Sequence, residues 1–321
     1  MIEALIGLVI FIVKVVVVGL VIAMTFASLI SLGKKKSEDS GLKLTHVNDE
    51  DQKREQKFKL QIFDKKKQKA LKKEFKKDKK NTAQEKPKLW LLDFKGDISA
   101  TQTQALREEI SLVLSLIEKG DEVAVRLENP GGAVHEHGLA ASQLLRFKDR
   151  GIPLTVLVDK VAASGGYLMA CVADKILAAP FAIIGSIGVI AQLPNFNRWL
   201  EERGIDFEQV TAGKHKRTLT IFGKNTEEGR QKLREEIEDI HSLFKDQIVK
   251  YRPDLDIDSV STGEYWYGAR AIELGLIDEI ITSDDYLANA KDNFDIYLTK
   301  LTKPQSFKEK LFNKAKLFFG I

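Results

Sequence analysis

Cysteine and histidine are scarce in this sequence. Cys171 is the only cysteine among 321 residues, so no disulfide can form within the chain. It lies in an apolar run, which predicts a buried core thiol and not a reactive one. The five histidines, at positions 46, 135, 137, 215 and 241, have no cysteine pair or similar companion at metal-ligand spacing. The sequence therefore predicts no metal site and no cofactor.

A general basic surface is also missing. The formal net charge is +4, but residues 34–88 hold 20 Lys/Arg against 10 Asp/Glu, so the rest of the chain is net acidic. This distribution excludes a broad nucleic-acid-binding face and indicates one localised basic segment. Apolar residues in that segment are too few to bury much surface. We therefore predict that residues 34–87 form a charged spacer, helical or partly disordered.

The chain begins with a long apolar run. Residues 4–32 are almost entirely apolar, and the uninterrupted stretch 15–33 has 19 residues, close to the ~20 that a helix needs to cross a bilayer. Because no basic residues precede the run, we predict an uncleaved transmembrane anchor over residues 1–33 and not a cleaved signal peptide. The lysines at 34–36 favour a cytoplasmic location for the domain that follows.

From residue 88 onward, strand patterns alternate with helix patterns over short connections. This alternation predicts an α/β domain with a largely parallel sheet over residues 88–295. The predicted strands are 89–94, 122–127, 154–158, 175–178, 207–211 and 279–282, and the predicted helices include 103–118, 134–148, 227–250 and 266–275. Residues 296–321 are predicted to form a C-terminal extension with an amphipathic helix, suited to a membrane surface or a neighbouring subunit.

Ser164 lies between alanines and glycines at a predicted strand-to-helix turn. Such a turn exposes the hydroxyl beside free backbone N–H groups. Gly165 and Gly166 have no Cβ, so a substrate carbonyl could approach the main chain closely. Ser164 is therefore a candidate nucleophile, and the alternative interpretation is an N-cap serine followed by packing glycines.

A serine nucleophile needs a base. No histidine follows Ser164 until His215, and His135 and His137 lie at a predicted helix start, where solvated or capping histidines are expected. A histidine triad is thus disfavoured. A lysine can act as the base only where burial lowers its ordinary pKa of ~10.4. Spacing alone does not separate the candidates Lys214, Lys216 and Lys224.

Six motifs occur in order, and together they carry a family resemblance. They are 129–134 (NPGGAV), 163–167 (ASGGY), 173–176 (ADKI), 185–189 (GSIGV), 212–216 (AGKHK) and 275–278 (GLID). In these motifs the chain resembles the signal peptide peptidase family of membrane-anchored Ser/Lys proteases. The predicted anchor, the charged spacer and the single catalytic domain resemble the SohB branch of that family.

The resemblance assigns roles to particular positions. It implies that Ser164 is the nucleophile, that Lys216 is the general base and that Ser186 orients the lysine amine. It also implies that Gly131 and Gly165 donate to the oxyanion. The implied fold is that of Clp protease and crotonase, assembled into homo-oligomeric rings in which a serine and a lysine can come from neighbouring subunits.

The resemblance further implies an endopeptidase of the bacterial inner membrane. Its implied substrates are hydrophobic peptides such as cleaved signal peptides, or misfolded membrane-associated proteins. The family places the catalytic domain on the periplasmic side, which is our expectation despite the lysines at 34–36. Two alternatives stay open at this point: a crotonase-like acyl-CoA enzyme and a non-enzymatic membrane scaffold.

Overall fold

The computed structural model describes residues 7, 11, 14–19, 41–64, 67–68, 71 and 86–301. One compact unit comprises residues 42–301, and a second unit comprises residues 1–41 and 302–321. The predicted anchor over residues 1–33 and the predicted C-terminal helix lie largely or wholly outside the described residues. Among the described residues, no helix has both the length and the hydropathy that crossing a bilayer requires.

The unit of residues 42–301 alternates strands and helices along the chain. Its first half contains β1 (Leu42–His46), α1 (Val47–Ile62), β2 (Lys88–Lys95), α2 (Thr103–Leu116), β3 (Glu122–Glu128), α3 (Val134–Lys148), β4 (Leu154–Val158), β5 (Val161–Ala163) and α4 (Gly165–Ala170). Its second half contains β6 (Lys175–Ala178), β7 (Ile183–Gly185), α5 (Asn197–Glu201), α6 (Glu227–Tyr251), α7 (Ile257–Val260), β8 (Tyr265–Tyr267), α8 (Gly268–Ala271), β9 (Glu279–Ile280), α9 (Ser283–Ala290) and β10 (Asp295–Leu301).

Seven strands form the main sheet, in the order β1-β10-β2-β3-β4-β6-β9. From β10 to β9 every neighbouring pair is parallel, and β1 pairs with β10 antiparallel. The predicted α/β class is therefore confirmed. Because side chains alternate across a strand, β2 faces two cores. Trp90 and Leu92 pack in the larger cluster with helices α2 and α3, while Leu89 and Leu91 pack in a smaller one with α9.

The sheet extends past both predicted ends of the catalytic domain. β1 and α1 lie within the stretch predicted as a spacer, and β10 crosses the predicted boundary at 295/296. A short strand such as β1 is recognised through its partner, since strand propensity depends strongly on context. The predicted strand at 207–211 is wrong, because that stretch is irregular, and the predicted helix at 266–275 is replaced by β8 and the short α8.

A second, three-stranded sheet positions the site. Its order is β5-β7-β8, and β5 pairs with β7 in parallel, with Ala163 opposite Gly185. An isolated parallel bridge between Asn129 and Ala162 joins the end of β3 to β5. These strands are too short to be predicted from a sequence pattern. They bring together the turns that follow β3, β5 and β7.

Candidate active site

Ser164 lies between β5 and α4 in a strained backbone conformation. Its φ is 52° and its ψ is −120°, a sparsely populated combination that costs a non-glycine residue of order 1–3 kcal/mol. The conformation is held by hydrogen bonds from Ser164 N to Gly185 O (2.7 Å) and from Leu168 N to Ser164 O (3.0 Å). Its hydroxyl makes no capping hydrogen bond to α4. The N-cap interpretation therefore gains no support, and the hydroxyl is left available for chemistry.

The glycine turn after β3 packs directly against the Ser164 turn. Gly131 has φ +90°, and a Cβ there would lie 2.8 Å from both Gly165 N and Ser164 Cβ. The Gly131 N–H donates to Asn129 Oδ1 (2.9 Å). By contrast, the Gly165 N–H at the first turn of α4 has no hydrogen-bond partner in the part of the chain that the structure describes. The two predicted oxyanion donors, Gly131 and Gly165, are thus neighbours of Ser164. The Gly131 N–H already donates to Asn129, whereas the Gly165 N–H does not.

Ser186 occupies the matching position after β7. The register that pairs Ala163 with Gly185 brings Ser164 and Ser186 next to each other, one residue beyond the pair. Ser186 also has positive φ, at 50°, and its N–H donates to Glu264 O (2.6 Å). Ser186, which is half-buried, therefore lies one residue past the paired strands, as Ser164 does.

A cavity of about 360 Å³ adjoins Ser164. Gly132, Ser164 and Gly165 contribute to its lining, and α3, α4 and α6 contribute most of the rest. The apolar side chains that line it are Val134, Ala141, Leu168, Val189, Ile240, Leu243 and Phe244. The sequence predicts helix α6 at 227–250, but no motif in it points to the site. The cavity is suited to an apolar side chain next to a reacting carbonyl.

Lys216 is not brought to Ser164 within one chain. It is exposed, does not line the cavity, and among the described residues no hydrogen bond joins it to Ser164. Its backbone N–H donates to Gly213 O (3.2 Å). The nearby Lys214 forms an ion pair with Glu228 (2.8 Å). Of the predicted site residues, the structure gathers Ser164, Ser186, Gly131 and Gly165 and leaves Lys216 apart.

His137 corrects an expectation from the sequence. His135 is exposed as expected, but the His137 side chain is fully buried. It shares the buried face of α3 with Ala140, Ala141 and Leu144, so the helical spacing of these residues was the signal that placed it inward. Asn129, also fully buried, was likewise overlooked as a side chain at the site.

Cys171 follows α4 in the core. The side chain is buried, and burial raises the pKa of its thiol to about 12. A thiol that stays protonated near neutral pH is a poor nucleophile. The prediction of an inert core cysteine is confirmed.

Sequence profiles of one family match nearly the whole chain. The profile described as "Peptidase family S49" matches residues 146–296, and "Peptidase family S49 N-terminal" matches residues 3–144. The chain belongs to peptidase family S49. Among its S49 relatives is the "Probable protease SohB" of Haemophilus influenzae, 59% identical over 199 residues. That alignment covers 62% of this chain and 56% of the relative, so the match spans little more than half of the relative's length.

A second S49 relative matches over more of its length. The "Putative protease SohB" of Buchnera aphidicola subsp. Baizongia pistaciae is 42% identical over 322 residues, covering 95% of this chain and 92% of the relative. The predicted resemblance to the SohB branch is therefore confirmed. Among solved structures, a mutant of the 1510-N membrane-bound stomatin-specific protease with a substrate peptide has a TM-score of 0.45 at 15% identity, covering 72% of this chain and 98% of that one. At that TM-score the likeness does not establish a shared fold.

Proposed function

We propose that this S49 family member is a serine-type endopeptidase in which Ser164 attacks the scissile peptide carbonyl. The observation that carries the proposal is the strained, uncapped Ser164 turn at the edge of an apolar cavity, beside the N–H of Gly165, which has no partner among the described residues. A neutral amine on Lys216 would accept the Ser164 hydroxyl proton as Oγ bonds to the carbonyl carbon. Backbone N–H groups would then stabilise the oxyanion, and each such donor is typically worth about 3 kcal/mol.

The remaining steps return the enzyme to its starting state. The tetrahedral intermediate collapses as the peptide C–N bond breaks, and the leaving amine takes the proton from Lys216. A water molecule, deprotonated by the same amine, then hydrolyses the acyl-enzyme and regenerates Ser164. Ser186, the neighbour of Ser164, would accept or donate a hydrogen bond that orients the amine.

The lysine is proposed to come from a neighbouring copy of the chain. Two observations support this arrangement. Lys216 is exposed and apart from Ser164 within one chain, and the stretch of residues 189–226 around it exposes large apolar side chains. Val210 is 97% exposed and Ile190 is 76% exposed. Burial of these side chains against a second copy would also remove water from the Lys216 amine, which favours its neutral form.

The cavity supports a preference for apolar substrates. Its lining offers aliphatic and aromatic side chains and places no charged group beside Ser164. An apolar side chain of a substrate would therefore be bound next to the scissile bond. Peptides of membrane origin, such as cleaved signal peptides or misfolded membrane-associated proteins, have this composition. The apolar run at residues 4–32 supports attachment of the enzyme to a membrane, and carbonate extraction of membrane fractions would test it.

The first test of the proposed chemistry is labelling with a fluorophosphonate probe. We expect Ser164→Ala to abolish both labelling and peptide hydrolysis while the protein stays folded. Lys216→Ala and Lys216→Arg should do the same, because guanidinium cannot supply a neutral base. Lys214→Ala is the matched control on the same segment and should stay active. A labelled Ser164→Ala variant would overturn the assignment, and an acyl-CoA enzyme or a scaffold would show no Ser164-dependent labelling.

A mixing experiment tests the origin of the lysine. If Ser164 and Lys216 act across a subunit contact, mixed assemblies of Ser164→Ala and Lys216→Ala chains contain intact sites. We therefore expect two inactive variants to regain about a quarter of wild-type activity when mixed in equal amounts, since about that fraction of contacts would pair the two intact residues in random assembly. Activity that stays absent, in mixtures shown to exchange subunits, would place the dyad within one chain or reject it.

A further inference from the structure

We infer that Asn129 and His137 form a buried positioning pair that sets the backbone N–H groups beside Ser164 for the oxyanion. The inference rests on the proposed peptidase function and names two residues of its site that do not touch substrate. Both side chains are fully buried. Neither has a part in the proton transfers described above, and a buried polar side chain in a core is retained at a cost unless its hydrogen bonds are made.

Asn129 connects the two turns that meet at Ser164. Its backbone carbonyl accepts from Ala163 N (3.0 Å), and its backbone N–H donates to Val161 O (2.8 Å). Its side-chain Oδ1 accepts from Gly131 N (2.9 Å), which closes the glycine turn. Because the Gly131 N–H is a donor, the atom facing it must be the oxygen, and the amide orientation is thereby fixed. Asn129 Nδ2 in turn lies 3.2 Å from Met169 Sδ on α4.

His137 lies within hydrogen-bond distance of Asn129 and packs against Gly165. Its Nε2 lies 3.2 Å from Asn129 Oδ1, and its Nδ1 lies 3.0 Å from Ala133 O. Both partners are oxygen acceptors, so the neutral ring donates to one of them and the doubly protonated ring donates to both. The ring also contacts the main chain of Gly165 so closely that a Cβ at that glycine would lie 2.6 Å from His137 Cγ. One imidazole therefore contacts both Asn129, which holds the Gly131 N–H, and Gly165.

The glycines around the pair show how tightly it is fitted. A Cβ at Gly96 would lie 2.2 Å from Asn129 Oδ1, and a Cβ at Gly166 would lie 2.1 Å from Asn129 O. With Asn129 holding the Gly131 N–H, the neighbouring Gly132 lines the cavity beside Ser164 and Gly165. The pair thus holds the Gly131 N–H in the fold next to the residue that lines the cavity.

Substitutions of His137 separate positioning from packing. At position 137, the amide of Gln lies near the position of the His Nε2 atom, and the amide of Asn lies near that of Nδ1. Leu fills a similar volume without a polar group at either position. We expect His137→Gln to keep kcat within about 5-fold of wild type, because it still reaches Asn129. His137→Asn and His137→Leu should lower kcat by about 30-fold or more, in line with the loss of an oxyanion donor, with KM changed by less than about 2-fold. Inhibition by a peptide aldehyde, whose hemiacetal oxygen occupies the oxyanion site, should weaken in parallel with kcat/KM.

Two controls make the test decisive. His135→Gln changes an exposed histidine on the same helix and should match wild type, while Leu106→Ala removes a buried side chain on α2 and reports what loss of stability alone does to kcat. The inference would be overturned if His137→Leu kept the wild-type kcat. It would also be overturned if His137→Leu lowered kcat no more than Leu106→Ala does at the same loss of stability. If wild-type protein shows no Ser164-dependent fluorophosphonate labelling, the proposed function itself fails. Labelling of His137→Leu at the wild-type rate would reject only the positioning pair.

Discussion

At the scale of single residues, Gly131 leaves no room for a side chain beside Ser164. Its φ of +90° disfavours any side chain, and a Cβ would also lie 2.8 Å from Ala163 O, Gly165 N and Ser164 Cβ. Gly120 is the matched control, because its φ is +98° but the nearest atom to a Cβ would be Pro87 Cβ at 4.0 Å. Both alanine variants should lose about 1 kcal/mol or more of stability through backbone strain.

Activity should separate the two glycine variants. We expect Gly131→Ala to lower kcat by about 100-fold or more, since the new methyl group must displace the Ser164 turn or the Gly165 N–H. Gly120→Ala should keep wild-type kcat. Peptidase assays at a temperature where both variants are folded would measure the difference. Equal kcat values in the two variants would mean that the glycine turn is not part of the site.

Glu109 on α2 carries a second prediction at the residue scale. It is 5% exposed, and burial raises the pKa of its carboxyl to about 7, although the N–H of Leu301 (2.7 Å) favours the charged form. Between pH 4.5 and 7 the unfolded chain releases this proton while the folded chain retains it, so the contribution of Glu109 to stability falls as the pH rises. Above pH 7 the loss of stability from burying the charged Glu109 carboxylate stays constant.

Replacement of Glu109 by glutamine should remove this penalty. We expect Glu109→Gln to raise the free energy of unfolding at pH 8 by about 2 kcal/mol, after allowance for partial solvent screening, and to change little at pH 4. Gln retains an oxygen for the Leu301 N–H. Denaturant titrations at the two pH values would measure the effect, with the exposed Glu108→Gln as control. A gain of the same size at both pH values would contradict the titration argument.

At the scale of elements, α6 contributes four residues to the lining of the cavity beside Ser164. Leu243 lines the cavity and is 61% exposed, whereas Val249 on the same helix is 40% exposed and does not line it. We expect Leu243→Asp to lower kcat/KM for apolar peptides by about 10-fold or more, because it places a charge where an apolar side chain binds. Val249→Asp should leave kcat/KM unchanged. Measuring kcat/KM for a set of peptides that differ in one side chain would show which substrate position binds in the cavity.

The elements also show where sequence reasoning succeeds. Strands β4 and β6 lie at their predicted positions because each is a short apolar run bounded by turn residues, and α6 follows its 3.6-residue periodicity. β5 and β7 have three residues each and carry no pattern, yet their pairing puts Ser164 beside Ser186. The motifs identified these serines, but only the register of the small sheet shows that they are neighbours. The motifs also identified Lys216, but neither its motif nor a strand register places it beside Ser164, because it lies in an irregular segment.

At the scale of the whole molecule, the limits of the folding unit differ from the predicted domain. β10 lies inside the sheet, between β1 and β2, so residues 295–301 are interior. Asn48 of α1 fastens the same strand, since its side chain donates to Phe294 O (3.0 Å) and accepts from Ile296 N (2.9 Å). Lys291 forms an ion pair with Asp51 of α1 (2.5 Å). Residues 42–62 therefore belong to the folded unit. Their charge-rich composition is the reason that the sequence predicts a spacer.

Two fragments should behave differently for this reason. We expect residues 42–301 to express as a soluble protein that unfolds cooperatively on heating. Residues 88–295, the domain predicted from the sequence, should aggregate or unfold without a cooperative transition, because removal of β10 exposes the edge of β2 and the buried faces around Leu89 and Leu91. Residues 88–301 form the intermediate case: they keep β10 but lose α1 and the antiparallel partner β1. Circular dichroism melts and size-exclusion profiles of the three fragments would rank them, and a stable 88–295 fragment would show that β10 is dispensable to the sheet.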